Sequence, residues 1–159
     1  MQPNLIKLLE LVDKVFQTRN DPTQIGFSEE DMAKMNALHP ECLQEAADTN
    51  GPYAWVAVIP TSLELMHEFL REAITERQLF ERTTTETPME TLYLCSAIVL
   101  PEYRRTRVAY NLSLDAILSM RKQWPVAATF VWPFSEEGEH LARKIARSAE
   151  LELHIRPHN

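Results

Sequence analysis

The nine residues Leu92 to Leu100 (Leu-Tyr-Leu-Cys-Ser-Ala-Ile-Val-Leu) form an apolar run of strand length, closed by Pro101. Proline has no amide hydrogen to give a sheet ladder, so the strand stops there. Within a few residues a helical period begins. Ala109, Leu112, Ala116, Ile117 and Met120 share one side of a helix expected over residues 105–122, with Arg107 inside it in right-handed helical conformation. Val126–Trp132 is the next strand. Ser135 caps a further helix, whose Leu141, Ala142, Ile145 and Ala146 face inward, and Leu151–Ile155 alternates as a closing strand. Strand–helix–strand–helix–strand in this order calls for a layered α/β domain with a parallel pair at its centre.

The first half of the chain is more helical. Leu5, Leu8, Leu9, Val12, Val15 and Phe16 make an amphipathic first helix, and residues 18–26, with Asp-Pro among them, read as a loop. Ser28 with Asp31 opens a helix carrying Met32, Met35 and Leu38. Pro40 is expected to open another, ending near Asn50-Gly51-Pro52, which makes residues 1–50 a helical N-terminal part. Tyr53–Ile59 has strand length and composition. Thr61 with Glu64 reads as a capping box before a buried face of Leu65, Met66, Phe69, Leu70, Ala73 and Ile74. Thr75 with Gln78 restarts the helix, and residues 83–90 are a polar loop or edge. With 159 residues, the chain fits a single domain of mixed α/β (α+β) class.

Composition narrows the partners. A formal charge of −7 speaks against nucleic-acid binding by phosphate neutralisation, so an anionic ligand needs a local basic spot. Cys42 and Cys95 form no CxxC pair, and the histidines (His39, His67, His140, His154, His158) show no HxxxH or HExxH spacing, so no metal is expected. No leader is read at residues 1–7, and no run approaches the roughly 18 apolar residues that span a bilayer. A cytoplasmic protein without a membrane partner is the expectation, and a homodimer is among the assemblies left open.

The basic spot is present. Arg104, Arg105 and Arg107 gather where the strand Leu92–Leu100 gives way to a helix. The first amides of a helix lack intrahelical partners and its dipole adds positive potential, so this turn suits a pyrophosphate. A solvated surface cluster is the competing reading of the same three arginines.

At these residues the chain resembles the GNAT superfamily of acyl-CoA-dependent N-acyltransferases. In that family a strand with valine, proline and tyrosine at its end leads to arginine or glutamine, two variable residues, glycine, one variable residue, and glycine or alanine. Val99, Pro101 and Tyr103 match the lead-in, Arg104 the basic position and Ala109 the last small one, whereas Arg107 stands where the family has its central glycine. The resemblance covers residues 90–156; the family's hairpin ahead of the signature strand is not evident from the sequence. It implies a GNAT-like mixed central sheet with flanking helices and acetyl-CoA or CoA as cosubstrate. The cofactor would lie on Ile98, Val99, Leu100, Arg104, Arg105, Thr106, Arg107, Val108, Ala109 and Tyr110.

The acceptor implied by the resemblance is a primary amine of a small molecule or peptide. In the family a carboxylate takes the proton of the amine, often through water, and a tyrosine commonly protonates the leaving thiolate. Here Ala142 falls at the tyrosine position, and the middle of the signature strand holds Cys95 and Ser96 in place of a carboxylate. Glu90, Tyr110 and His140 remain as candidates for catalysis, with Glu102 and Tyr103 behind them. Cys95 reads as a buried structural cysteine rather than a nucleophile. These departures support an alternative: a catalytically inactive GNAT-like module that binds CoA or regulates a partner.

Overall fold

A computed structural model describes residues 2–16 and 21–157. Met1, Thr18–Asn20 of the expected loop and His158, as well as the side chains of Val15 and Phe16, lie outside the described residues. Five strands make one sheet in sequential order: β1 (Leu43–Asp48), β2 (Gly51–Thr61), β3 (Thr91–Val99), β4 (Ala128–Val131) and β5 (Glu152–Ile155). The first three pair antiparallel and the last three parallel. Helices α1 (Pro3–Phe16) and α2 (Glu29–Leu38) precede the sheet, and α3 (Leu63–Leu70) and α4 (Glu76–Arg82) join β2 to β3. Helices α5 (Val108–Gln123) and α6 (Glu136–Ala149) make the two parallel crossovers. The fold is mixed α/β, as the alternation of elements predicts.

Local chemistry sets most boundaries. Ser28 and Ser135 cap α2 and α6 by accepting the amide hydrogens of Asp31 (3.1 Å) and Gly138 (3.0 Å). Thr75 and Gln78 form a reciprocal box at the start of α4, with bonds of 3.1 and 2.9 Å. The α3 cap is Ser62 rather than Thr61, which belongs to β2 and bonds the Thr83 hydroxyl at 2.6 Å. The helix ends at Leu70, before Ala73 and Ile74.

The helix expected after Pro40 does not form. Residues 43–48 pair with β2 instead, from Leu43 opposite Ala57 to Asp48 opposite Gly51, across the two-residue turn Thr49–Asn50. Gly51 sits at φ 107°, a conformation that side chains rarely adopt. The edge of β2 offers unpaired amides and carbonyls, and pairing with them outweighs the helix preference of Gln44, Glu45, Ala46 and Ala47.

The larger core gathers on Phe69 of α3, whose ring meets Tyr93, Phe130 and Trp132 edge-on at 5.3, 6.0 and 5.9 Å. A smaller cluster of Leu8, Val12, Trp55, Ile98 and Leu100 seats α1 on β2 and β3. Among the described residues, no helix is long and apolar enough to cross a membrane.

Candidate functional site

The site begins with an irregularity in β3. Ser96 pairs with Ala57 and Leu94 with Val58, so Cys95 is an extra residue on its strand. Such a bulge bends a strand and strengthens its twist. On the other side β3 pairs with β4 only from Thr91–Ala128 to Leu94–Val131. From Cys95 onward the two strands part.

The register fixes what the parted edge offers. Leu100 donates its amide to the Tyr53 carbonyl at 2.9 Å, so alternation turns the N–H and C=O groups of Val99 and Ala97 toward the side that β4 has left. Between the parted strands lies a cavity of about 730 Å³. Its walls include Cys95–Val99 of β3, Val131–Ser135 at the end of β4, Ala109 and Ser113 of α5, and Glu137, Gly138, Leu141 and Ala142 of α6. Arg104 stands at its rim with its Nε on the Val99 carbonyl at 3.2 Å.

The turn after Pro101 departs from expectation. Residues 101–106 form a 3₁₀ turn, and α5 starts at Val108, three residues later than the period suggests. Arg107 lies between them at φ 61°, ψ 20°, so it is left-handed and not helical. The chain has to reverse its curl there to pass from the tight turn into α5, and glycine does so without steric cost. The Arg107 side chain folds back along α5, its guanidinium 4.7 Å from the Tyr110 ring centroid. No side chain caps α5. Its first bond runs from Asn111 N–H to Arg107 C=O (3.0 Å), which leaves the amides of Val108, Ala109 and Tyr110 ahead of it. Tyr103 pins the turn, stacked on Tyr53 with its hydroxyl bonded to the Asp48 carboxylate.

Of the residues expected at a cofactor, Ile98, Val99, Arg104 and Ala109 line the cavity. Arg105, Thr106, Arg107, Val108 and Tyr110 are not among its lining residues, and Leu100 is buried in the α1 cluster. The three candidates for catalysis stand apart from the cavity. Glu90 precedes β3 and accepts the Leu63 amide at the start of α3 (3.1 Å). Tyr110 faces α6, its hydroxyl 2.6 Å from Ser148 Oγ and Lys144 over its ring. His140 is exposed on α6.

Sequence reasoning missed Glu76. This N-terminal residue of α4 is 5% exposed. One carboxylate oxygen accepts the Ile25 amide at 2.7 Å and the other the Tyr93 hydroxyl at 2.5 Å. Burial raises its pKa above the ordinary carboxylate value, against the lowering pull of those two bonds and of Arg77 and Arg156. Beside it is a pocket of about 10 Å³, bounded also by Cys95, Ser96 and the Ile25–Phe27 loop, and the larger cavity shares Cys95, Ser96 and Phe134 with it. The signal in sequence was the capping box at Thr75, which marks Glu76 as a first-turn residue without telling which way it points. Desolvation, then the negative Glu76 nearby, pushes the Cys95 thiol well above its usual pKa, which fits a structural rather than a nucleophilic cysteine.

No protein-family model matches the chain, and neither a curated protein nor a solved structure is significantly similar to it.

Proposed function

We propose that this chain is an acyl-CoA-dependent N-acyltransferase of GNAT type, using acetyl-CoA to acylate a primary amine of a small molecule or peptide. The observation that carries the reading is the parting of β3 from β4 at the Cys95 bulge, which opens a cavity of about 730 Å³ beside an uncapped helix start. A cavity of that size suits an extended cofactor arm. The diphosphate would meet the amides of Val108 to Tyr110 with Arg104 alongside, and the arm would bond the parted edge at Ala97 and Val99. The thioester would then reach the bulge, where the amine attacks its carbonyl carbon.

A second reading is a CoA-binding module without turnover. It is favoured by Ala142, which supplies methyl rather than hydroxyl to the cavity wall, and by the distance of Glu90 and His140 from that wall. Calorimetric titration with acetyl-CoA tests both readings. Saturable binding is expected, with more than tenfold weakening in Ala109→Glu, whose carboxylate suits the helix start but repels a diphosphate. Failure of millimolar acetyl-CoA to bind overturns both. Binding without thiol release across a panel of amines selects the second.

A further inference from the structure

Within the N-acyltransfer reading, on which the inference rests, one step has no residue assigned to it so far: the amine must lose a proton as it acylates, and the one carboxylate lining the large cavity, Glu137, is solvent-exposed at the start of α6. We propose that Glu76 takes this proton through a single water held between its carboxylate and the strand bulge at Cys95–Ser96.

The geometry selects a water rather than the amine itself. The pocket beside Glu76 has about 10 Å³, room for one water and too little for a substrate nitrogen with its carbon chain. A buried water needs two to four polar partners, and Glu76, Ser96 and Cys95 are the residues with polar side-chain atoms nearest the bulge that border the space. Each carboxylate oxygen already holds one donor, Ile25 N–H or Tyr93 O–H, and keeps a lone pair for another. Those two donors fix the carboxylate, and Tyr93 acts as a positioning residue. The loop over the pocket is itself fixed. Arg77 holds Asp31 by bonds of 2.8 and 2.9 Å and the Gln24 carbonyl at 3.0 Å, and Asp31 accepts the Gly26 amide at 3.2 Å. The pocket and the larger cavity have Cys95, Ser96 and Phe134 as common lining, at the level where β3 leaves its pairing with β4.

In the step, the amine nitrogen bonds the thioester carbon and the C–S bond breaks with its electron pair on sulfur. The proton lost by nitrogen passes to the water, whose own proton moves to Glu76. The thiolate takes a proton from solvent, and Glu76 later returns its proton there, so charge balances over the turnover. The ionisable groups bearing on Glu76 are Tyr93 and Cys95 of β3, Arg77 of α4, and Arg156 after β5. Removing the Tyr93 hydroxyl takes away a bond that favours the ionised carboxylate, so the group should titrate higher.

The test compares the full chain with Glu76→Gln and Tyr93→Phe. Acetyl-CoA affinity is read by calorimetry, and thiol release is read with an alkylamine, a polyamine, an amino sugar and a lysine peptide. Expected are unchanged acetyl-CoA affinity in both variants and transfer about 100-fold slower in E76Q. E76Q should also lose the acidic limb of its kcat/KM profile, and Y93F, short of one positioning bond, should turn over more slowly than wild type with that limb moved to higher pH. Wild-type transfer matched by E76Q, or a limb unmoved in Y93F, overturns the role of Glu76 and leaves the parent reading standing. Acetyl-CoA binding with no transfer by wild type overturns both. Should E76Q fail to fold, the Y93F profile decides alone.

Discussion

The ring of Tyr103 lies flat on that of Tyr53, centroids 4.0 Å apart and planes 7° from parallel. The stack joins the 3₁₀ turn ahead of α5 to β2, and the Tyr103 hydroxyl adds a bond to Asp48 at the far end of β1. That bond draws the Asp48 carboxyl below its ordinary range and the Tyr103 phenol above its own. Tyr103→Ala should therefore lower the melting temperature and weaken acetyl-CoA severalfold, by freeing the turn that carries Arg104. Tyr103→Phe, which keeps the stack, should do much less. Thermal shift and calorimetry on the two variants check this.

Arg107 carries a left-handed backbone that costs a non-glycine residue about 1–2 kcal/mol. Its guanidinium over Tyr110 returns about 0.5–1 kcal/mol at an exposed site. Arg107→Gly is thus expected to leave stability within about 1 kcal/mol of wild type, whereas Arg107→Ala keeps the strain and loses the contact. Urea denaturation should rank glycine above alanine. Because the guanidinium is engaged over the Tyr110 ring, acetyl-CoA affinity should not fall in R107G. A large loss would show that the guanidinium reaches the cofactor.

Two buried carboxylates respond to pH with opposite sign. Burial alone would raise Asp31, but the Arg77 guanidinium and the Gly26 and Ser28 bonds outweigh it and hold the group below 3.8. Its stabilising effect is complete above that value and is lost as pH falls through the lower, folded one. Asp31→Asn should cost about 2 kcal/mol at neutral pH, the range of hydrogen bonds to a charged group, with the cost shrinking in acid. Glu76 is raised above 4.5, so its native form holds the proton longer than the unfolded chain does. Stability should decline as pH rises past 4.5 until the native group ionises, and E76Q should lack that decline. Denaturation midpoints of the three proteins from pH 3 to 8 separate the two slopes.

Thiol chemistry gives a fourth check. Burial pushes the Cys42 thiol up to about 12 and that of Cys95 well above its usual value. Both should react slowly with a disulfide reagent at pH 8 in the native protein and quickly once it is unfolded. Of the two, Cys95 borders the cavity, so acetyl-CoA should slow its reaction further and leave Cys42 unaffected.

Elements with strong period or caps were legible in sequence: α1, the apolar strands, α6 behind Ser135, and α4 behind Thr75. What escaped depends on pairing. Residues 43–48 carry helix-favouring side chains, and only the open edge of β2 makes them a strand; the Asn50-Gly51 pair that fits a hairpin was read as a helix end. The cavity was foreshadowed at Ile98, Val99, Arg104 and Ala109. The parting of the strands was not, because a bulge at Cys95 is a relation between β2 and β3 rather than a property of either run. Glu76 was hidden for a related reason: a charged residue beside Arg77 reads as surface until the chain places Tyr93 and Ile25 around it.

The sheet ends in β1 on one side and in the four-residue β5 on the other. The outer strand β1 is irregular at Ala46–Ala47, and its acidic side chains are tied down: Glu45 accepts the Trp55 indole at 2.9 Å, and Asp48 is held by Asn4 and Tyr103. On β5, Glu152 lies 3.6 Å from His154. A neighbouring molecule trying to continue the ladder would meet fixed negative charge and a kinked backbone on one border, and only a short template on the other. The same features that complete this fold therefore guard it against fibrous growth, and two copies that associate should do so through helices, with their sheets kept separate.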